Sequence, residues 1–163
     1  MAKVLVTGGA GFLGSNLVNE LIKRGDDIVV FDNGFRQEFN NIQEIKNSIS
    51  LIKGDISKKE DWDKIPKDVD VAYHLAAING TKFFYEIPQK VLEVNIQGTF
   101  NFVEWLRGSQ VKRIFFTSSS EAYGFPKKFP TPETEELSIP DPTNPRFSYS
   151  SSKILGEIIT INF

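Results

Sequence analysis

"KVLVTGGAGFLGSNLVNELIKRG", residues 3–25, decides the fold. It opens with the β-branched run Lys3–Thr7, passes through a turn holding Gly8, Gly11 and Gly14, and continues with apolar residues at helical spacing. Leu13, Leu17 and Leu21 repeat every four positions, Val18 and Ile22 sit beside them, and Gly25 stops the pattern. Strand, glycine turn and helix in this order form the first half of a βαβ unit. The early glycines let the chain turn tightly and bring its backbone close to a pyrophosphate. Gly14 lets the helix pack closely on the strand, and the helix N-terminus presents free N–H groups to the phosphates.

Working outward, the alternation continues. "DIVVFDN" (27–33) predicts a second strand, followed by a polar loop that can hold a short helix. "SISLIKGD" (48–55) predicts a third strand, residues 58–65 a helix, and "DVAYHLAA" (70–77) a fourth strand. A long helix is expected over 88–107, opened by Pro88, then a fifth strand in "VKRIFFTSS" (111–119) and a last helix from about Phe147. Regular alternation of this kind implies a parallel sheet covered by helices on both faces. Six of the eight prolines fall between Phe125 and Arg146, in a connection long enough to suggest a functional loop or lid. In the long helix Leu92, Ile96, Val103 and Leu106 form one apolar stripe. Val94, Phe102 and Trp105 lie off it, so a second side of the helix is expected to need a partner such as another subunit.

Composition narrows the function. The absence of cysteine excludes disulfides and thiolate metal sites, and a single histidine, His74, excludes a His-rich metal cluster. A net charge of -2 provides no basic footprint for nucleic acid. No apolar stretch approaches the roughly 18 residues of a membrane span, and glycines interrupt the start where a signal peptide needs an apolar core. A cytoplasmic enzyme or binding domain is expected.

Asp32 ends the second strand, where a carboxylate can accept hydrogen bonds from both adenosine ribose hydroxyls and repel a 2′-phosphate; this favours NAD over NADP. Arg36 is expected to be a solvated loop residue. Asp55 ends the third strand and is either a contact to the adenine edge or a turn residue. A methyltransferase also wants a glycine loop and an acidic residue after strand two, so residues further along must decide. Tyr149 and Lys153, in "YSSSK", lie four apart on one helical face. A free phenol has a pKa near 10, too high for a base at neutral pH. A neighbouring ammonium and a cationic nicotinamide are expected to lower it, so that Tyr149 accepts a proton from a substrate hydroxyl.

Together "TGGAGFLG", "GDI", "HLAA", "VNIQGT", "SSSEAYG" and "YSSSK" resemble the extended short-chain dehydrogenase/reductase family, and within it the NAD-dependent nucleotide-sugar epimerases and dehydratases. The resemblance spans nearly the whole chain. It implies a Rossmann-like doubly wound α/β domain with Gly8, Gly11, Phe12, Leu13, Gly14, Asp32, Asn33, Asp55, Ile56, Leu75, Ala76, Ala77 and Asn95 around NAD, together with Tyr149 and Lys153. Epimerases of the family often carry a lysine five residues after the His74 position; this chain has Asn79. His74 itself is expected to be packed and satisfied. The catalytic hydroxyl of the family falls on Ser119, which would hold the sugar against Tyr149, with Ser118 a strand-end residue near the cofactor.

Glu121 falls where 4,6-dehydratases and decarboxylases of the family carry a glutamate, whereas simple 4-epimerases have an uncharged residue. It is the expected general base at C5 of a 4-keto sugar. The resemblance further implies a homodimer through the helices at 88–107 and 147–163. Relatives are about twice this length and add the last strands and a C-terminal domain for the nucleotide-sugar. The 163 residues are therefore expected to be an N-terminal fragment, truncated before those parts and inactive alone. A non-catalytic NAD-sensing or protein-binding module is the alternative from another class; an intact Ser119, Tyr149 and Lys153 set argues against it.

Overall fold

The structure is a computed structural model and describes residues 1–36 and 38–163. Five strands form one sheet: β1 (Lys3–Thr7), β2 (Asp27–Asp32), β3 (Ser50–Lys53), β4 (Val71–His74) and β5 (Arg113–Phe116). The order is β3-β2-β1-β4-β5, and every neighbouring pair is parallel. The chain starts in the middle, winds outward through β2 and β3, then returns past β1 to lay down β4 and β5. Register places Thr7 opposite both Phe31 and His74, Asp32 opposite Lys53, and His74 opposite Phe116. All five C-terminal ends therefore lie along one edge. The reversal between β1 and β4 opens a crevice there, where open α/β sheets bind ligands.

The near-continuous apolar strands are explained by burial on both faces. Val4, Val6, Ile28 and Val30 pack with Val18 and Leu21 of α1 (Phe12–Lys23) on one face. Leu5, Val29, Phe31 and Ala72 pack on the other with α2 (Lys59–Trp62), α4 (Pro88–Arg107) and Tyr149 of α5 (Phe147–Ile161). The doubly wound architecture expected from the alternation is present.

Two features differ from the expectation, and the loop after β2 takes the short helical form expected of it. The helix over 58–65 shrinks to the four residues of α2 and continues only as turns, with the Lys64 and Ile65 N–H groups donating to the carbonyls of Asp61 and Trp62 ahead of Pro66. The polar loop after β2 carries two short 3₁₀ turns, Asn40–Ile42 and Lys46–Ser48. An unforeseen helix, α3 (Thr81–Glu86), stands between β4 and α4. It is divided from α4 by Ile87, whose backbone at φ -139° and ψ 48° is not helical and which precedes Pro88.

The second apolar side of α4 is also covered from within. Phe102 is fully buried, stacked on His74 at 4.6 Å between ring centres and 6.0 Å from Trp62. Trp105 lies 6.1 Å from Trp62 and receives the Lys67 ammonium 5.0 Å over its ring. These residues belong to the chain's own core, so the partner they were expected to need is α2 and the sheet. Helical periodicity gives the stripes of α4 and not the layers that cover them. The apolar side chains that do face outward are Phe100 on α4 and Leu155, Ile158 and Ile161 on α5.

Candidate functional site

The glycine turn shapes the crevice. Gly8 has φ 72°, a conformation that side chains rarely adopt, and a Cβ on it would lie 2.7 Å from the Ala76 nitrogen. A Cβ on Gly14 would come within 2.1 Å of the Gly8 carbonyl oxygen and 2.7 Å of the Gly9 Cα. Only at this spacing can α1 start directly behind β1. Its first turn has neither a side-chain cap nor an acidic residue, so the leading N–H groups and the positive end of the helix face the cavity unneutralised.

The cavity encloses about 590 Å³. Its wall includes Gly8, Gly11, Phe12, Leu13 and Gly14 from the turn, Asp32 and Asn33 after β2, Asp55 and Ile56 after β3, and Leu75, Ala76 and Ala77 after β4. Asp32 is fixed by the N–H of Ala10 on one oxygen (3.0 Å) and of Gly34 on the other (2.8 Å). Each oxygen keeps a lone pair for a further donor. The Asp55 carboxylate accepts from the N–H and hydroxyl of Ser57 (2.9 and 2.7 Å) and from Asn33 at a long 3.4 Å. It therefore serves both as a turn residue and as part of the wall.

Asn95 does not line the cavity. Its oxygen accepts from the Ile78 N–H (2.8 Å), and its amide nitrogen donates to the Ile78 carbonyl (3.3 Å) and the Ser152 hydroxyl (3.0 Å). It ties the cavity wall at Ile78 to α5, one residue from Lys153. Arg36 is exposed, as expected of a loop residue, but it has partners. Its Nη1 donates to the Asn79 carbonyl (2.6 Å), and its guanidinium stands 5.8 Å over the Phe83 ring. The cation thus arrives beside Asn79 from another loop.

At the end of β5, Ser119 starts the 3₁₀ turn Ser120–Tyr123, its oxygen accepting the Glu121 N–H at 3.2 Å. Ser118 donates to Glu157 of α5, so its hydroxyl is committed to that helix. Lys153, 4% exposed, donates to the Thr117 carbonyl (2.7 Å); its ammonium lies 4.9 Å over Phe116 and 5.7 Å over the Tyr149 ring. Burial pushes its pKa down to about 8. Tyr149, 6% exposed, moves against expectation: burial raises its pKa, the neighbouring Ser119 hydroxyl lowers it, and the Glu121 carboxylate raises it again. Lys153 is held by a carbonyl with its charge over the ring, and among the chain's own groups desolvation of the phenol wins.

Two groups of residues were missed by sequence reasoning. Arg146 donates from Nη2 to both oxygens of Glu121 (3.0 and 3.3 Å). Its position one helical turn before Tyr149 was the available signal. The aromatics of α3 were hidden in a segment too short to show periodicity, yet Phe84 stacks on Tyr149 with centres 4.9 Å apart.

His74 is packed and satisfied as expected, its Nδ1 2.8 Å from the Thr7 hydroxyl. Burial first, then the Lys153 charge, lowers its pKa to about 3. The unfolded chain takes up this proton below about pH 6.5 and the folded chain does not until about 3, so stability falls as pH drops through that window. The cost is about 1.4 kcal/mol per pH unit. In urea unfolding at pH 7 and pH 4.5, the wild type should lose roughly 2–3 kcal/mol more than His74→Gln between the two. Equal losses would contradict this account.

A strand-turn-helix crevice at the C-terminal edge of a parallel sheet, with a buried Tyr/Lys pair on the neighbouring α5, is a Rossmann-type arrangement. The match of residues 4–163 to the NAD dependent epimerase/dehydratase family shows that the chain belongs to that family. It is 33% identical over 162 residues to a UDP-N-acetyl-alpha-D-glucosaminuronate decarboxylase of Bacillus cytotoxicus, covering 99% of this chain and 50% of that protein. A putative UDP-glucose 4-epimerase of Methanocaldococcus jannaschii is 36% identical over 156 residues, covering 94% and 48%. Among solved structures, an epimerase of the thermophilic methanogen Methanothermobacter thermautotrophicus superposes with a TM-score of 0.87 at 34% identity, covering 99% and 47%. The chain thus spans about half the length of these relatives. Among the described residues, no helix is long and apolar enough to cross a membrane.

Proposed function

We propose that residues 1–163 form the NAD-binding half of a cytoplasmic enzyme that oxidises a nucleotide-sugar at C4. The carrying observation is that Tyr149 and Lys153, both buried, stand at the same sheet edge as the glycine-lined cavity and are tied to its wall through Asn95. The residues fit NAD: the uncapped start of α1 suits the pyrophosphate, a Cβ at Gly8 or Gly14 would collide with the backbone that shapes the cradle, and the oriented Asp32 carboxylate suits the ribose diol. Bound NAD supplies a hydride acceptor and a positive charge.

Ser119 receives the sugar C4 hydroxyl and holds it towards Tyr149. Tyr149, as phenolate, accepts the hydroxyl proton as hydride leaves the carbon. Lys153, still an ammonium at neutral pH with its pKa about 8, steadies the phenolate and the nicotinamide ribose. In a 4-keto hexose Glu121 takes the C5 proton as the C6 hydroxyl leaves as water, and return of the hydride to C6 completes 4,6-dehydration; in a 4-keto uronate the C5–C6 bond breaks with loss of carbon dioxide and Glu121 supplies the proton to C5. Among the relatives, the decarboxylase supports this outcome. A 4-epimerase is the second reading, favoured by Arg146, which engages both oxygens of Glu121 and limits its freedom as a base. A homodimer through α4 and α5 is part of the proposal, its support being the outward Phe100, Leu155 and Ile158.

The test is product analysis in deuterium oxide with UDP-, dTDP-, GDP- and CDP-sugars, using the protein that carries this chain. Deuterium at C5, lost in Glu121→Gln, is the expected result. Inversion at C4 without C5 deuterium would establish the second reading, and NAD binding with no hydride transfer would leave a sensing module.

A further inference from the structure

Phe83 and Phe84 are neighbours on α3 that pack in different directions. Phe84, 4% exposed, lies flat against the Tyr149 ring, with centres 4.9 Å apart and planes inclined by 13°. Phe83 meets Phe35, from the loop after β2, at 5.4 Å between centres, and carries the Arg36 guanidinium 5.8 Å over its ring. Arg36 also donates to the Asn79 carbonyl just ahead of α3. Phe35 and Arg36 line the same cavity as Asp32. Two adjacent side chains of one short helix therefore span from the cavity mouth to the tyrosine.

We infer that Phe84 is a positioning residue that holds the Tyr149 ring, and that α3 couples contact at Phe35 and Arg36 to the setting of that ring. The inference rests on Tyr149 being the base of the proposed reaction. The Phe84 ring shuts water from one face of the phenol and limits its tilt, so the hydroxyl stays where Ser119 faces it. A ligand that contacts Phe35 and Arg36 presses on Phe83, and it biases α3 only by the difference in its contact with the alternative placements. The cavity mouth and the tyrosine then respond to each other, reciprocally.

The chain has four tyrosines, so protein labelled with 3-fluorotyrosine gives four fluorine signals, and that of Tyr149 is assigned by its loss in Tyr149→Phe. Fluorination lowers each phenol's pKa and brings titration into an accessible range. Phe84→Leu should lower the Tyr149 midpoint by about 0.5–1 pH unit as the phenol regains water, and Phe84→Tyr should restore it. Phe83→Leu, which keeps the Phe84 ring, should shift the midpoint in the same direction by less and weaken NAD binding roughly five-fold by calorimetry. If Phe84→Leu fails to fold by circular dichroism, the exposed Arg36→Gln carries the coupling arm with the same expected signs.

A Tyr149 midpoint unmoved by Phe84→Leu would overturn the positioning role. Weaker NAD binding in Phe83→Leu with Tyr149 unchanged would overturn the coupling. Failure of the wild type to bind NAD would sink the functional reading instead, and the titration arm would still decide the positioning role.

Discussion

Gly14→Ala should abolish NAD binding, lowering affinity at least about 100-fold, and should destabilise the fold by roughly 3 kcal/mol. The added methyl would stand 2.1 Å from the Gly8 carbonyl oxygen and 2.7 Å from the Gly9 Cα. Both are backbone atoms of the turn, so no side chain can swing aside. Either α1 moves away from β1 or the turn opens, and in both cases the N–H groups at the start of α1 leave the place where a pyrophosphate would lie. Calorimetric titration with NAD and urea unfolding of the same sample read the two effects separately. Binding within three-fold of wild type would refute the cradle.

Tyr149→Phe should lower turnover by roughly two to four orders of magnitude, the usual contribution of a positioned general base. NAD affinity and unfolding free energy should stay near wild type. The phenyl ring preserves the stack on Phe84, and the lost hydroxyl's neighbour is the Ser119 hydroxyl at the site. The separation of effects matters: a loss of turnover together with equal losses in stability would mean that Tyr149 is a packing residue. In the wild type the rate should climb with pH, because burial raises the proton affinity of the phenol that must act as base, and the climb should be cut off above about pH 8, where Lys153 loses its charge.

Much of this was legible in the residues because the relevant signals are local. Gly8, Gly11 and Gly14 fix a turn by what they lack, and that turn specifies both the start of α1 and the cavity floor. Asp32 at a strand end, and Tyr149 and Lys153 one helical turn apart, are positions that backbone geometry dictates. What could not be read depends on contacts between segments distant in the chain. Phe102 and Trp105 read as an outer face in sequence because periodicity says which residues share a side and not which layer covers it. The direction of the Tyr149 shift required the burial of the phenol and the engagement of Lys153 with the Thr117 carbonyl. Arg146 on Glu121 and Arg36 on Asn79 join residues 25 and 43 positions apart, and nothing in either segment alone points to the other.

The commitment of Asn95 to Ile78 and Ser152 has a kinetic consequence. Asn95 and Ser152 are buried, so swinging the wall at Ile78 outward would strip hydrogen bonds inside the core, on both partners at once. Such an opening belongs to the slow class of sub-global unfolding, far from the nanosecond wandering of a surface loop. A dinucleotide cannot wait for that door. Exchange should instead run over the exposed Asn33, Phe35 and Arg36 and the exposed Phe12 and Leu13, and the residence time of the bound molecule should be set on that side.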